Sequence, residues 1–276
     1  MDISDDKKLA AEKILKFVDK YLEGDIDKIT TFPLSKLLHD KEFGCPSNRS
    51  FDCDDTELMR CIYVLIFSDV WPCLSFETLG NYTYRGDTMN TYNTLFGKPN
   101  YHNGIWHPGL NKFHPSDSLK KKVVDFHLKG YNLIGNMVVL PNIEFEGKTI
   151  NRYRGCNHTH DFFDRFLYDL KSALIKAPDC DITLHNLVKA NALYLYPFLN
   201  QSGFKVLSSK LFFEDYLDSD LNPVVSSKAF YYWIKDVTSE AYLEEADRYI
   251  DFANKTIEHR GRHMLKILKD QLCIFK

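Results

Sequence analysis

Several signatures that would name a chemistry at once are missing from this chain of 276 residues. Neither GxxxxGKS/T nor GxGxxG occurs, which removes the common glycine-rich phosphate loops of nucleotide-binding proteins. GxSxG, HExxH and the kinase motifs are absent too, and with them the serine-hydrolase elbow, the zincin helix and the kinase catalytic loop. No run approaches the roughly 18–20 apolar residues that span a bilayer. The longest, CIYVLIFSDVW from Cys61, is interrupted at Ser68 and Asp69 and reads as a buried helix, so no membrane partner is expected. The N-terminal MDISDDKKLAAEKILKF carries acids where a secretory leader needs positive charge. Seven cysteines without a CxxC pair argue against a disulfide framework and predict reduced thiols in a cytoplasm. Cys45, Cys53, Cys61 and Cys73 are spaced too irregularly for a usual zinc knuckle. A net charge of −3 argues against a surface coated for general nucleic-acid binding, while leaving room for a local basic cleft.

What is present is mostly helical periodicity. An apolar stripe of Ile14, Leu15, Phe17, Val18, Tyr21 and Leu22 predicts a helix from about Asp5 to Leu22. A second, Glu57 to Val70, is capped by Asp54 or Asp55 and apolar nearly all round, hence central. Regular signals are sparse from Trp71 to Ser118, and KPNYHNGIWHPGLNKFHPSDS reads as a long ordered connection. Ser118 to Lys129 looks helical, and YNLIGNMVVLPN gives a strand or buried extended segment ended by Pro141. A helix is expected from Asp161 to Lys176, then one capped by Asp181 and reaching about Leu199. Residues 203 to 227 read as mixed. Ser239 to Leu272 is strongly helical, with Gly261 as a point of interruption. The expected fold is mainly α (α+β): one large helical domain over 1–276 with a small β element near the polar blocks, and a C-terminal helical subdomain over 228–276 as the alternative division.

Two polar blocks echo each other. YRGDTMNTYNTLFG begins at Tyr84 and places Arg85 and Gly86 before Asp87 and Asn90. Tyr153-Arg154-Gly155 precedes Asn157, His158, His160 and Asp161. Arginine beside glycine suits anion recognition, because the guanidinium forks onto a phosphate or carboxylate while glycine lets backbone N–H groups approach it. Asp87 could position a hydroxyl or hold Arg85; the alternative is a buried structural ion pair that orders the loop. His158 and His160 on an extended segment would point the same way, and Asp161 could complete a divalent-metal shell. Capping by Asn157 or Thr159, with Asp161 in the first helical turn, accounts for the same residues. His107 and His127 are the candidate acid–base groups, with no sequence signal to choose between them.

The order YRGDTMNTYNTLFG, LIGNMVVLPN, INRYRG and DFFDRFL resembles an uncharacterised family of proteins from low-GC bacteria. LIGNMVVLPN, with Asn142 and Asn151 after it, is similar to a segment of HNH-type nuclease domains in modification-dependent restriction systems. That likeness implies a histidine activating water beside a metal-bound phosphate. The nearest counterpart is Trp106-His107-Pro108, which lacks the acid that precedes the histidine in those domains. YRG at 84–86 with Glu144 and Glu146 resembles the outer motifs of ADP-ribosyltransferases, without the Ser-Thr-Ser element between them.

These readings converge on a cytoplasmic bacterial enzyme that binds a phosphate-bearing substrate, a nucleotide or nucleic acid, with hydrolysis as its candidate reaction. Arg85 and Arg154 would clamp the anion, while Asp87, Asn90, Asn136 and Asn157 orient it. His107, His127 or His158 would supply acid–base chemistry or a metal ligand. The rival expectation is a non-enzymatic module for a ligand or partner protein, regulatory or host-defence in character, with a homo-oligomer formed through the C-terminal helix.

Overall fold

A computed structural model of the protein describes residues 3–46, 53–71, 73–85, 100–102, 105–107, 118, 121–122, 125–126, 132–150, 163–220, 222 and 240–275. Helix α1 (Ile3–Leu22) begins with Asp5 and Asp6 in its first turn and has Lys20 in its last, the charge order that the peptide dipoles favour. Its buried face is Ala10, Ala11, Ile14, Phe17, Val18 and Leu22, and it packs on α2 (Glu57–Phe67). Helix α2 is indeed central, with nine of its eleven residues buried. Its cap is Thr56, not Asp54 or Asp55: the Thr56 hydroxyl accepts from the Met59 N–H at 3.3 Å, and the helix stops at Phe67.

The stretch with sparse regular signals, read as containing a long ordered connection, holds strands. β1 (Tyr82–Arg85) is followed by β2 (Asn100–His102) and β3 (Ile105–His107), which form an antiparallel hairpin. The described residues of 118–126 are helical, as expected. A 3-10 turn, Ile134–Asn136, then leads into β4 (Val138–Pro141). β4 pairs antiparallel with β1, with Tyr82 opposite Pro141 and Arg85 opposite Val138. Every residue of β4 is buried, so this two-stranded ribbon lies inside the helical shell. The mainly helical fold with a small β element at the first polar block is what the periodicity implied.

Helix α3 (Phe163–Leu174) turns Leu167, Leu170 and Leu174 inward, and Asp181 caps α4 (Ile182–Ala190) through the N–H groups of Thr183 and Leu184. The expected helix to Leu199 does not run through. Asn191 ends α4, because its side-chain amide bonds the Leu187 carbonyl and both backbone groups of Ile143. Short α5 (Ala192–Leu195) and a 3-10 turn carrying Pro197 follow. The region read as mixed holds a further helix, α6 (Gln201–Lys210), capped by Asn200 on the Gly203 N–H at 2.7 Å. Last comes α7 (Glu240–Ile274), continuous through Gly261. One cluster of buried apolar residues draws on α1 through α7. Among the described residues no helix is long and apolar enough to cross a membrane, and the six described cysteines are free thiols.

Gly261 does not break α7 because it is the seat of a close crossing. The backbone of Gly135, in the turn before β4, lies against it. A methyl group on Gly135 would stand 1.9 Å from the Ile257 carbonyl oxygen and 2.7 Å from the Gly261 nitrogen, both backbone atoms that cannot swing away. A methyl group on Gly261 would meet nothing closer than 3.8 Å. Beside this crossing Arg260, 1% exposed, sends its guanidinium to the carbonyls of Gly135, Met137 (3.0 Å) and Leu211 (3.3 Å) and stacks over the Phe213 ring. Burial brings the arginine down to about 10, so it stays charged at neutral pH.

At the far end of α1, Phe17, Tyr21, Phe32 and Phe43 form an aromatic group with ring centres 5.2–6.0 Å apart. Asp40 fastens it. Burial alone would raise this carboxyl, yet the Tyr21 hydroxyl, the N–H groups of Phe43 and Glu42, and Lys20 outweigh it and hold the group down at about 2.

Two expectations follow from this packing. Gly135→Ala should lose more than about 2 kcal/mol in denaturant unfolding, whereas Gly261→Ala should be neutral or gain up to about 1 kcal/mol. Equal midpoints for the two variants would refute the crossing. Asp40 is stabilising when ionised, so its contribution is complete above its ordinary value of 3.8 and is lost as pH falls towards 2. Asp40→Asn should therefore cost about 1–2 kcal/mol near neutral pH, with the gap to wild type closing through that acid range; a pH-independent gap would contradict it.

Candidate functional site

The first polar block begins on a strand that is held in the core. Trp71 is fully buried at the end of α2's extension, and its indole N–H donates to the Val139 carbonyl at 3.1 Å. Tyr82 packs between the rings of Trp71 and Tyr194, while Phe198 meets Trp71 edge-on at 6.1 Å. The ribbon is thus gripped by α2, α5 and the 3-10 turn after α5. Burial also pushes the Tyr82 hydroxyl above its ordinary value, so it stays protonated across the physiological range.

The antiparallel register brings two candidates together. Arg85 is the last residue of β1 and stands opposite Val138, so β1 ends where the Ile134–Asn136 turn enters β4. Asn136, fully buried, closes that turn two residues before Val138. Arg85 and Asn136 therefore share one end of one ribbon, despite their distance in sequence. That same end is held to α7 by Arg260, through the carbonyls of Gly135 and Met137. A polar block that begins on so constrained a strand starts from a rigid scaffold, the kind of support binding groups need.

His107 lies at the end of β3, opposite Asn100 in the separate β2–β3 hairpin. Asp87, Asn90, His127, Arg154, Asn157, His158, His160 and Asp161 lie outside the described residues. Among the described residues no group of three His, Cys, Asp or Glu side chains is arranged to hold a metal ion.

Sequence reasoning passed over a second polar constellation. A cleft of about 440 Å³ opens between the end of α2, the end of α6 and α7. Into it face His263 and Lys266 of α7, Lys210 of α6, and Asp69 and Glu214. The His263 ring sits edge-on to His259 at 4.5 Å, and His259 Nδ1 is hydrogen-bonded to the Asp215 carboxylate. The spacing His259, His263, Lys266 puts all three on one helix face, which is the signal that could have found them.

Phe212, also lining the cleft, has φ +61°, the left-handed region in which a helix usually ends on glycine. Its N–H and that of Phe213 cap α6 on the Ser209 and Ser208 carbonyls at 3.0 and 2.7 Å. Holding a bulky side chain there costs on the order of 1 kcal/mol or more, offset by ring contacts to Phe67 and His263.

The fold and these two constellations define a mainly helical protein built around a buried β ribbon. No protein-family model, curated protein or solved structure matches the chain.

Proposed function

We propose that the protein binds a phosphate-bearing ligand, a nucleotide or nucleic-acid segment, at the Arg85 end of the β1–β4 ribbon. The observation that carries this reading is the register that sets Arg85 beside the Asn136 turn at a ribbon end fixed to the core. Asp87 and Asn90 stand two and five positions after Arg85 in the chain and add an acid and an amide to the same polar block. Arg154 would supply the second cation, and His107 or His127 the acid–base group for hydrolysis, with a divalent metal held by His158, His160 and Asp161 where the reaction uses one. The likeness of LIGNMVVLPN to a nuclease segment supports the same ligand class.

A binding module without catalysis is the second reading. Association through α7 would have to use its outward face, since Ile250, Ala253, Ile257, Met264, Leu268 and Leu272 are spent on the protein's own core.

The test is a thermal-shift screen of wild type and Arg85→Ala against nucleotides, short nucleic acids and divalent metals. A ligand at a hundredfold over its Kd adds about 2.7 kcal/mol, readable as a raised Tm. Wild type should shift with a phosphate-bearing ligand and a folded Arg85→Ala should not. Equal shifts in both proteins would remove Arg85 from the site, and no shift with any phosphate would reject the ligand class.

A further inference from the structure

The cleft beside α7 has the composition of a small-molecule site and stands apart from the ribbon end. Its volume, about 440 Å³, falls in the range of roughly 300–1,000 Å³ typical of ligand pockets. Its floor is apolar, from Ile66, Val70, Phe212 and Ile267. Its polar lining mixes both signs: Lys210, Lys266 and His263 face in beside Asp69 and Glu214. Of the two acids, the Asp69 carboxylate is paired with Lys7 at 2.9 Å.

The groups that line it are held in place. Lys210 Nζ donates to the Asp69 carbonyl at 3.2 Å, tying the end of α6 to the end of α2 across the cleft. His263 is fixed between two rings, Phe212 at 6.2 Å and His259 at 4.5 Å, and His259 is oriented in turn by Asp215. The left-handed backbone of Phe212 is what turns an aromatic ring, in place of the usual glycine, towards His263.

We propose that this cleft binds a small organic anion, a phosphate monoester or carboxylate carrying an apolar group. Lys266 and Lys210 hold the anionic head, and His263 donates a hydrogen bond to it. The apolar part rests on Phe212, Ile66, Val70 and Ile267. Asp215 and His259 act as positioning residues for the His263 ring. A purely inorganic anion would leave the apolar floor uncovered, and a neutral apolar molecule would leave the Lys266 ammonium to water alone, so the proposed ligand carries both halves.

Titration calorimetry with phenyl phosphate and benzoate tests this, with inorganic phosphate and benzyl alcohol as the head-only and body-only controls. Wild type should bind at least one of the two aryl anions, and more tightly than either control. Lys266→Gln and His263→Ala should each weaken that binding by about tenfold or more, while Lys189→Gln, an exposed lysine on α4, should bind as wild type. Circular dichroism establishes that each variant is folded, and the exposed Lys266 carries the comparison should His263→Ala not fold. Failure of both aryl anions to bind at about 10 mM would overturn the proposal. So would unchanged affinity in a folded Lys266→Gln, or an equal loss in Lys189→Gln, which would mean diffuse charge attraction and no site.

Discussion

Arg260, 1% exposed, joins α7 to the turn before β4 and to the end of α6. Its guanidinium reaches from the middle of α7 to carbonyls within and just after the Ile134–Asn136 turn and to the carbonyl that ends α6. Those carbonyls lie in a 3-10 turn, at the entry to β4 and at the end of α6. A planar group with five donors in a fixed fork is suited to this, and a lysine ammonium would not span the same acceptors. Such an enclosed charge is costly to bury, and the cation–π contact to Phe213 and the hydrogen bonds offset that cost.

The glycine crossing and the arginine depend on one another. Gly135 has to approach α7 closely enough for its carbonyl to meet the guanidinium one residue before Gly261, and any side chain on Gly135 would collide with the Ile257 carbonyl. Because the turn is pinned, β4 enters the core at a set position, and β1 follows through its register with β4. Trp71 then closes over the far side through the Val139 carbonyl. Both candidate sites inherit their placement from this joint. The Arg85 end of the ribbon is two residues from the pinned turn, while the cleft is lined by α7 one turn beyond Arg260 and by the α6 terminus whose carbonyl Arg260 also holds.

Helices that carry their own signals could be read from sequence: α1 and α3 from their apolar stripes, α4 from its Asp181 cap, α7 from a stripe sustained over many turns. What failed were features decided by distant partners. Asn191 looks like an ordinary helical polar residue until Ile143 comes alongside and takes its amide. Gly203 and the serines of α6 weaken its local pattern, so packing rather than propensity makes it a helix. β1 is short, and only β4 across the fold reveals its pairing. Arg260 falls in step with Ala253, Ile257, Met264 and Leu268 on the buried stripe. That phase was visible in the sequence and marks an arginine that folding must enclose. For the sites, the polarity of the first block was legible, and its attachment to a pinned ribbon was not. The His259–His263 pair went unread because its partners, Asp215 and Phe212, come from another element.

The measurement that bears most directly on this account is amide hydrogen exchange on Arg260→Met, which keeps an apolar side chain of similar length and removes the fork of donors. Freed of the guanidinium, the carbonyls of Gly135, Met137 and Leu211 lose charge-assisted bonds worth about 1.5–3 kcal/mol each. Protection of 138–140 and 82–85 should then fall by roughly a hundredfold, clearly more than in α1 and α2. If the ribbon keeps its protection, or if every element loses it equally, Arg260 is not what fixes the ribbon in the core.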